Sequence, residues 1–233
     1  MLPRLLAVMI LLAASGARAD DWPQWMGPGR DDVWAETGIV DEFPPEGLTY
    51  LWRQPLGGGF SGPAVAEERV YVTDYIRSAG DDRPAPTKRN DLQGRERVLC
   101  LDAKTGAELW RHEYDCPYTI SYPAGPRCTP TVVDGKVYSL GAMGDLVCLD
   151  AADGSVVWSK NLPRTYNAPV PLWGYAGHPL VYGDIVICMA GGKNTAVVAL
   201  QRQTGEEVWT SLSTPEIGYS PPTLIESGGV TQL

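Results

Sequence analysis

One eleven-residue pattern occurs three times in this chain of 233 residues, and it constrains the fold more than any other feature. The copies read CLDAKTGAELW at 100–110, CLDAADGSVVW at 148–158 and ALQRQTGEEVW at 199–209. Each has a glycine in the seventh position and a tryptophan four residues later. Glycine adopts the left-handed conformation of a tight turn without strain, so each copy predicts two strands joined by a turn.

The tryptophans that end these copies, together with an earlier one at position 52, lie 58, 48 and 51 residues apart. A period of that length in a chain of short strands indicates one four-stranded unit per repeat. The sequence therefore predicts an all-β fold, a β-propeller of four-stranded antiparallel blades. The residues expected to dock each blade on the next are Trp52, Trp110, Trp158, Trp209, Gly106, Gly154 and Gly205.

The pattern of a small residue, Leu-Asp-Ala, Thr-Gly and Trp resembles the tryptophan-docking repeat of the PQQ-like (quinoprotein) propellers of secreted bacterial proteins. The resemblance covers nearly everything after about residue 48. It implies that ligands are held at the mouth of the central channel, where a loop enters the innermost strand of each blade. The family contains both quinone-dependent dehydrogenases and propellers that bind no quinone.

The first nineteen residues combine a basic start, a short apolar run and Ala-Arg-Ala directly before Asp20. These are the features of a secretory signal peptide, and the apolar run is too short to span a bilayer. We therefore expect residues 1–19 to be removed near Ala19. The mature chain is then periplasmic or secreted, without stable membrane insertion.

The remaining sequence divides into an extended segment and a propeller. Residues 20–47 are rich in proline and glycine and should be held to the body by Trp22 and Trp25. Residues 48–55 read as a lone outer strand, and 76–96 as a charged surface insertion. The propeller is expected over 48–233, with blades at about 57–114, 124–162, 174–212 and, in part, 217–233.

Seven or eight blades would need roughly 350 to 400 residues, so we interpret the chain as a fragment of a longer ring. The alternative is an open arc of blades, which would leave strand edges exposed. Acidic side chains outnumber basic ones by 28 to 19. This balance argues against nucleic acid or an anionic membrane as the main partner.

Candidate ligand contacts lie in the loops that enter the inner strands. Aligning those strands on Pro63, Pro130, Pro179 and Pro222 places Phe60, Arg127, Ala176 and Tyr219 at equivalent positions around the channel mouth. The connections into the second and third blades add further aromatic side chains, which suit planar or sugar-like ligands, a protein surface, or simple loop packing. The predicted contacts are Phe60, Tyr122, Arg127, Trp173, Tyr175 and Tyr219.

Arg127 stands out because a guanidinium at a channel mouth can hold a carboxylate or phosphate through two hydrogen bonds. The alternative is an ion pair between blades. His178 is the one histidine near these loops, but no motif ties it to a serine or carboxylate. No catalytic residue is therefore predicted.

The five cysteines divide into two groups by position. Cys100, Cys148 and Cys188 lie in apolar strands and should be small buried residues. Cys116 and Cys128 flank an aromatic connection, and in an exported protein we expect a disulfide between them. Metal binding is disfavoured, because no clustered histidine or Cys-x-x-Cys pair accompanies them.

These patterns favour an exported, non-catalytic propeller that binds a protein or a carbohydrate-like ligand at its channel mouth without a cofactor. The alternative is a fragment of a PQQ- and calcium-dependent alcohol or sugar dehydrogenase, so enzymatic activity stays open. The resemblance implies an adjacent Cys-Cys pair under the quinone of those dehydrogenases. No two cysteines are adjacent here.

Overall fold

The computed structural model describes residues 20–233, and its regular structure is almost entirely β-strand. The predicted signal peptide lies outside the described residues. Among residues 20–233, no helix has the length and apolar character that crossing a membrane requires.

Three complete blades and the first hairpin of a fourth follow one another along the chain, and all strand pairs are antiparallel. The first blade contains β1 (Ala64–Ala66), β2 (Arg69–Gly80), β3 (Asn90–Asp102) and β4 (Glu108–Asp115), with β5 (Tyr118–Ile120) added beside β3. The second contains β6 (Thr131–Val133), β7 (Lys136–Leu140), β8 (Asp145–Asp150) and β9 (Val156–Asn161), followed by the short helix α1 (Leu162–Tyr166). The third contains β10 (Leu180–Tyr182), β11 (Ile185–Met189), β12 (Val197–Gln201) and β13 (Glu207–Ser211). The last hairpin is β14 (Ile225–Ser227) and β15 (Val230–Gln232).

The repeated eleven-residue pattern forms the turn between the third and fourth strands of each blade. In the first copy the Asp102 carboxylate accepts hydrogen bonds from the backbone N–H groups of Lys104 (3.1 Å) and Thr105 (2.8 Å). The turn glycine Gly106 has φ +71°. All three copies carry a β-bulge between the first and second residues of the pattern. The equivalent backbone geometry confirms that the pattern specifies a structural unit.

Each of the first three docking tryptophans lies on the turn of the following blade. Their indole Nε1 groups donate 2.9 Å hydrogen bonds to the fourth residue of the next copy, which is Ala103 for Trp52, Ala151 for Trp110 and Arg202 for Trp158. A Cβ built on Gly106, Gly154 or Gly205 would lie 2.5 to 2.7 Å from the corresponding indole. Trp209 packs on the core of the third blade, and its docking on a further blade stays a prediction.

Two predicted features of the first blade are wrong in detail. Residues 48–55 form no strand, although Trp52 within them docks as expected. The segment 76–96 is largely a long hairpin of β2 and β3, because the antiparallel backbone ladder continues along both arms, from Ile76 opposite Arg95 to Gly80 opposite Leu92. Only residues 81–89 form its irregular tip, where the prolines and most of the charges lie.

The N-terminal segment crosses the innermost part of all four blades. Trp22 forms an isolated antiparallel bridge with Val65 of β1, with backbone hydrogen bonds of 2.8 and 2.9 Å. Its contacts with the next three blades are Val132 N–H to Pro23 O (2.8 Å), Arg30 to Pro179 O (3.1 Å) and Arg30 to Pro222 O (3.2 Å). The segment therefore lines the channel side of the sheets, a position that the sequence did not predict.

Candidate functional site

The loops that enter the inner strands enclose a depression of about 410 Å³, which we call the aromatic bowl. Its lining consists of Phe60, Tyr122, Arg127, Trp173, Ala176 and Tyr219. All four equivalent positions of the blade alignment are in this set. The structure thus brings together five of the six predicted contacts, and their role in binding stays a prediction.

Three aromatic rings form the main wall of the bowl. Trp173 and Tyr219 are stacked, with ring centroids 4.9 Å apart and planes 28° apart. Tyr122 approaches Trp173 edge-on, with centroids 6.2 Å apart. The Trp173 indole also donates a 3.1 Å hydrogen bond to the carbonyl of Pro86 in the tip of the first-blade hairpin. Trp173 is 43% exposed, so it presents a fixed apolar surface to solvent.

Arg127 does not form the ion pair between blades that was one expectation from the sequence, and its contact with a ligand stays a prediction. Its guanidinium donates to the carbonyls of Gly125, Ser121 (3.1 Å) and Tyr122 (2.6 Å), and lies 5.2 Å from the Phe60 ring centroid. Among the described residues it takes part in no ion pair. Burial lowers the pKa of Arg127. The side chain therefore braces the loop that carries Tyr122 through three of its five N–H groups.

Tyr175 does not reach the bowl, so its predicted ligand contact is wrong. It is fully buried between the second and third blades, and its hydroxyl donates a 2.9 Å hydrogen bond to the Ala190 carbonyl. The preceding Gly174 has φ +75°, and the Tyr175 N–H binds the Ala142 carbonyl at 2.9 Å. This local backbone turns the ring into the core.

The predicted disulfide is also wrong, because Cys116 and Cys128 are both free. Cys116 packs with Tyr75 and Tyr118 in the core of the first blade, and Cys128 belongs to the core cluster of the second and third. Strand β5 lies between them in sequence and pairs with β3, which commits the intervening chain to the first blade. Burial raises the pKa of both thiols, as expected for inert cysteines.

A second cavity, of about 800 Å³, lies between the N-terminal segment and the inner strands, and we call it the inner chamber. It shares Phe60 and Arg127 with the bowl. His178 lines it and is 8% exposed, with its ring edge-on to Trp25 at 4.9 Å. Burial, and then the charge of Arg30, lower the pKa of His178 to about 4. The sequence did not indicate this chamber, because nothing local placed residues 20–32 inside the channel.

Sequence reasoning also missed a buried acid in the first blade. Glu96 accepts hydrogen bonds from the hydroxyls of Tyr114 and Tyr118 and from the Ala142 N–H at 2.9 Å. Burial raises the pKa of this carboxyl. The sequence predicts a surface insertion at Glu96, whereas the structure places it in β3 between the tyrosines of β4 and β5. The signal that could have found it is a strand pattern in 90–96.

The described side chains do not by themselves fit a quinone held by calcium. Within residues 20–233, no three His, Cys, Asp or Glu side chains converge on a metal-sized site. Three of the five N–H groups of the Arg127 guanidinium at the bowl already bind backbone carbonyls.

Comparison with known proteins shows relatives of two kinds. The quinohemoprotein alcohol dehydrogenase ADH IIB of Pseudomonas putida is 30% identical over 149 residues, which are 58% of this chain and 21% of that protein. The outer membrane protein assembly factor BamB of Salmonella typhimurium (strain LT2) is 27% identical over 142 residues, which are 56% of this chain and 31% of BamB. The chain thus spans between a fifth and a third of the length of these relatives.

The solved structure of quinohemoprotein alcohol dehydrogenase from Comamonas testosteroni is similar over 84% of this chain and 28% of its own, with a TM-score of 0.50 and 24% identity. This likeness concerns the fold, and it confirms the predicted propeller of four-stranded antiparallel blades, present as a partial ring. A family model of PQQ-like repeats, described as outer membrane protein assembly factor BamB, matches residues 94–229. Since that match covers more than half of the chain, this protein belongs to the PQQ-like repeat family of β-propellers.

Proposed function

We propose that the aromatic bowl binds a carbohydrate-like ligand and that the protein acts as an exported binding module. The observation that carries this proposal is the fixed, half-exposed face of Trp173, stacked on Tyr219 and flanked by Tyr122. Sugar rings present a flat C–H face that packs on aromatic rings, while their hydroxyls bind polar rims. Backbone carbonyls around Arg127 would supply part of such a rim.

The test is a titration of the whole chain with cellohexaose and maltohexaose, followed by tryptophan fluorescence and thermal unfolding. A ligand present at a hundredfold excess over its Kd should stabilise the fold by about 2.7 kcal/mol. Trp173→Ala should weaken binding by about fivefold to a hundredfold, because one stacked ring contributes roughly 1 to 3 kcal/mol. Trp34→Ala, at another exposed tryptophan outside the bowl, is the matched control. Equal binding by both variants would reject the bowl as the site.

The second candidate function is that the chain forms part of a quinone-dependent dehydrogenase. The similarity to quinohemoprotein alcohol dehydrogenases favours this function. Blades outside this chain would then supply the calcium and carboxylate ligands that the described blades do not. Titration with PQQ and calcium separates the two proposals. A calcium-dependent rise in thermal stability with a bound quinone spectrum supports the dehydrogenase, whereas stabilisation by an oligosaccharide alone supports the binding module.

A further inference from the structure

The tip of the first-blade hairpin reaches across to the loops that carry the aromatic bowl. We call residues 85–89, the second half of this tip, the strap. It contacts the loop 121–130, which precedes β6 and carries Tyr122, and the loop 167–179, which precedes β10 and carries Trp173. The strap is therefore part of the first blade along the chain, but it packs on the loops that enter the second and third blades.

Arg89 of the strap joins these two parts of the chain through one side chain. Its guanidinium donates a 2.7 Å hydrogen bond to the carbonyl of Thr119 in β5 and a 2.8 Å hydrogen bond to the carbonyl of Val170. The two acceptors lie 30 and 81 residues away from Arg89 in sequence. The planar fork of arginine points its N–H groups in fixed directions, so a single side chain can hold two backbone segments in one geometry.

The strap also provides the hydrogen-bond acceptor for the indole of Trp173. The Pro86 carbonyl accepts the 3.1 Å hydrogen bond from Nε1 of Trp173, and the neighbouring Ala85 carbonyl accepts one from the Ser121 hydroxyl. A 3.1 Å hydrogen bond from the Lys88 N–H to the Ala85 carbonyl closes this part of the strap into a turn. Trp173 is 43% exposed, so the contact with the strap adds a fixed direction to a ring that packing covers only in part.

We propose that Arg89 is the positioning residue of the aromatic bowl, because it ties the entry loops to the strap and so holds the Trp173 ring in the orientation that receives a sugar ring. This inference rests on the carbohydrate binding proposed above, but the order that it assigns to Trp173 exists without a ligand. A loose indole would lose rotamer freedom on binding, which lowers affinity. A ring that the strap already holds has less freedom to lose, so the strap preorganises the bowl.

The first measurement is hydrogen exchange at the indole N–H of Trp173 in the whole chain without ligand, followed by nitrogen-15 NMR. Trp173→Phe assigns this signal among those of the eight tryptophans. We expect Arg89→Ala to speed the exchange of Trp173 about tenfold, and to leave the exchange of the buried Trp110 unchanged. Arg83→Ala is the matched control, since Arg83 lies in the same hairpin tip but pairs with Asp81 within the tip itself.

Arg89→Lys separates positioning from a general effect of charge. Lysine keeps the positive charge but lacks the planar fork, so the exchange of Trp173 in this variant should stay close to that in Arg89→Ala. The second measurement is the titration with cellohexaose and maltohexaose. Arg89→Ala should bind the oligosaccharide about threefold to tenfold more weakly than the wild-type chain, whereas Arg83→Ala should bind it equally well.

Unchanged exchange of Trp173 in Arg89→Ala would overturn the inference, whatever the oligosaccharides do. Faster exchange of Trp110 together with Trp173 would show a general loss of stability and would also overturn it, as would equal affinity of Arg89→Ala and the wild-type chain. Failure of both oligosaccharides to bind the wild-type chain would reject the proposed function. The exchange of Trp173 decides the role of Arg89 in either case.

Discussion

The indole Nε1 of Trp110 donates a 2.9 Å hydrogen bond to the carbonyl of Ala151, and the same ring covers Gly154 in the next blade. The two residues that Trp110 contacts lie three positions apart in one copy of the repeat. A single side chain thus satisfies a turn carbonyl and packs on the turn glycine. Repetition of this contact at Trp52 and Trp158 sets the spacing between successive blades.

Gly154→Ala should destabilise the chain by more than the backbone strain of an alanine in the left-handed conformation. The added Cβ would lie 2.6 Å from Cε3 of Trp110, in a residue with φ +75°. Gly135→Ala is the matched control, because Gly135 has φ +70° but no atom near the new Cβ. We expect a loss of about 1 kcal/mol for Gly135→Ala and about 2 to 4 kcal/mol for Gly154→Ala, measured by urea unfolding. Equal losses would mean that the tryptophan contact does not position the blades.

The stability of the fold should fall as the pH rises above the ordinary pKa of a glutamate, because of the buried Glu96. Burial raises the pKa of this carboxyl above 4.5, so the folded chain holds its proton more tightly than the unfolded chain. The stabilising contribution is complete below pH 4.5 and is lost as pH rises through the folded pKa. Glu96→Gln should flatten the dependence of Tm on pH in that range. Glu46→Gln, at an exposed glutamate, should leave it unchanged, and identical profiles for the two variants would contradict the assignment.

His178 should destabilise the fold in acid. Its pKa is lowered from 6.5 to about 4, so the unfolded chain binds a proton more readily than the folded chain. Stability is therefore complete above pH 6.5 and declines as pH falls towards 4, by about 3 kcal/mol in total. Because burial also lowers the pKa of His112, the measurement belongs in a His112→Gln background. In that background, His178→Phe should remove most of the remaining loss of stability between pH 6.5 and 4. An acid unfolding transition that is unaltered by His178→Phe would contradict this prediction.

All five thiols should titrate with a chromogenic thiol reagent once the chain is unfolded without reductant. The native chain should react slowly, because every cysteine is buried. Recovery of only three thiols from the unfolded, unreduced chain would contradict this and show one disulfide. Cys116→Ser offers a direct comparison, since the expected count then falls to four.

The blade architecture could be predicted because its signals are local and repeated. Each copy carries its own turn glycine and its own tryptophan, so the prediction of the fold does not depend on any single copy. The positions of Phe60, Arg127, Ala176 and Tyr219 followed from the same repetition. Tyr175 and the Cys116–Cys128 pair could not be placed in this way, because one backbone turn at Gly174 and the added strand β5 break the regularity.

The sequence by itself determined the all-β repeat, its period and the contact that joins one blade to the next, since these depend on neighbours within about ten residues and on a fixed interval between copies. The tertiary structure alone decided the chemistry of the channel. Arg30 meets Pro179 and Pro222 across 149 and 192 residues of chain, and only that crossing encloses His178 in a chamber. Whether a buried polar atom finds a partner is set by such long-range contacts, which no local pattern records.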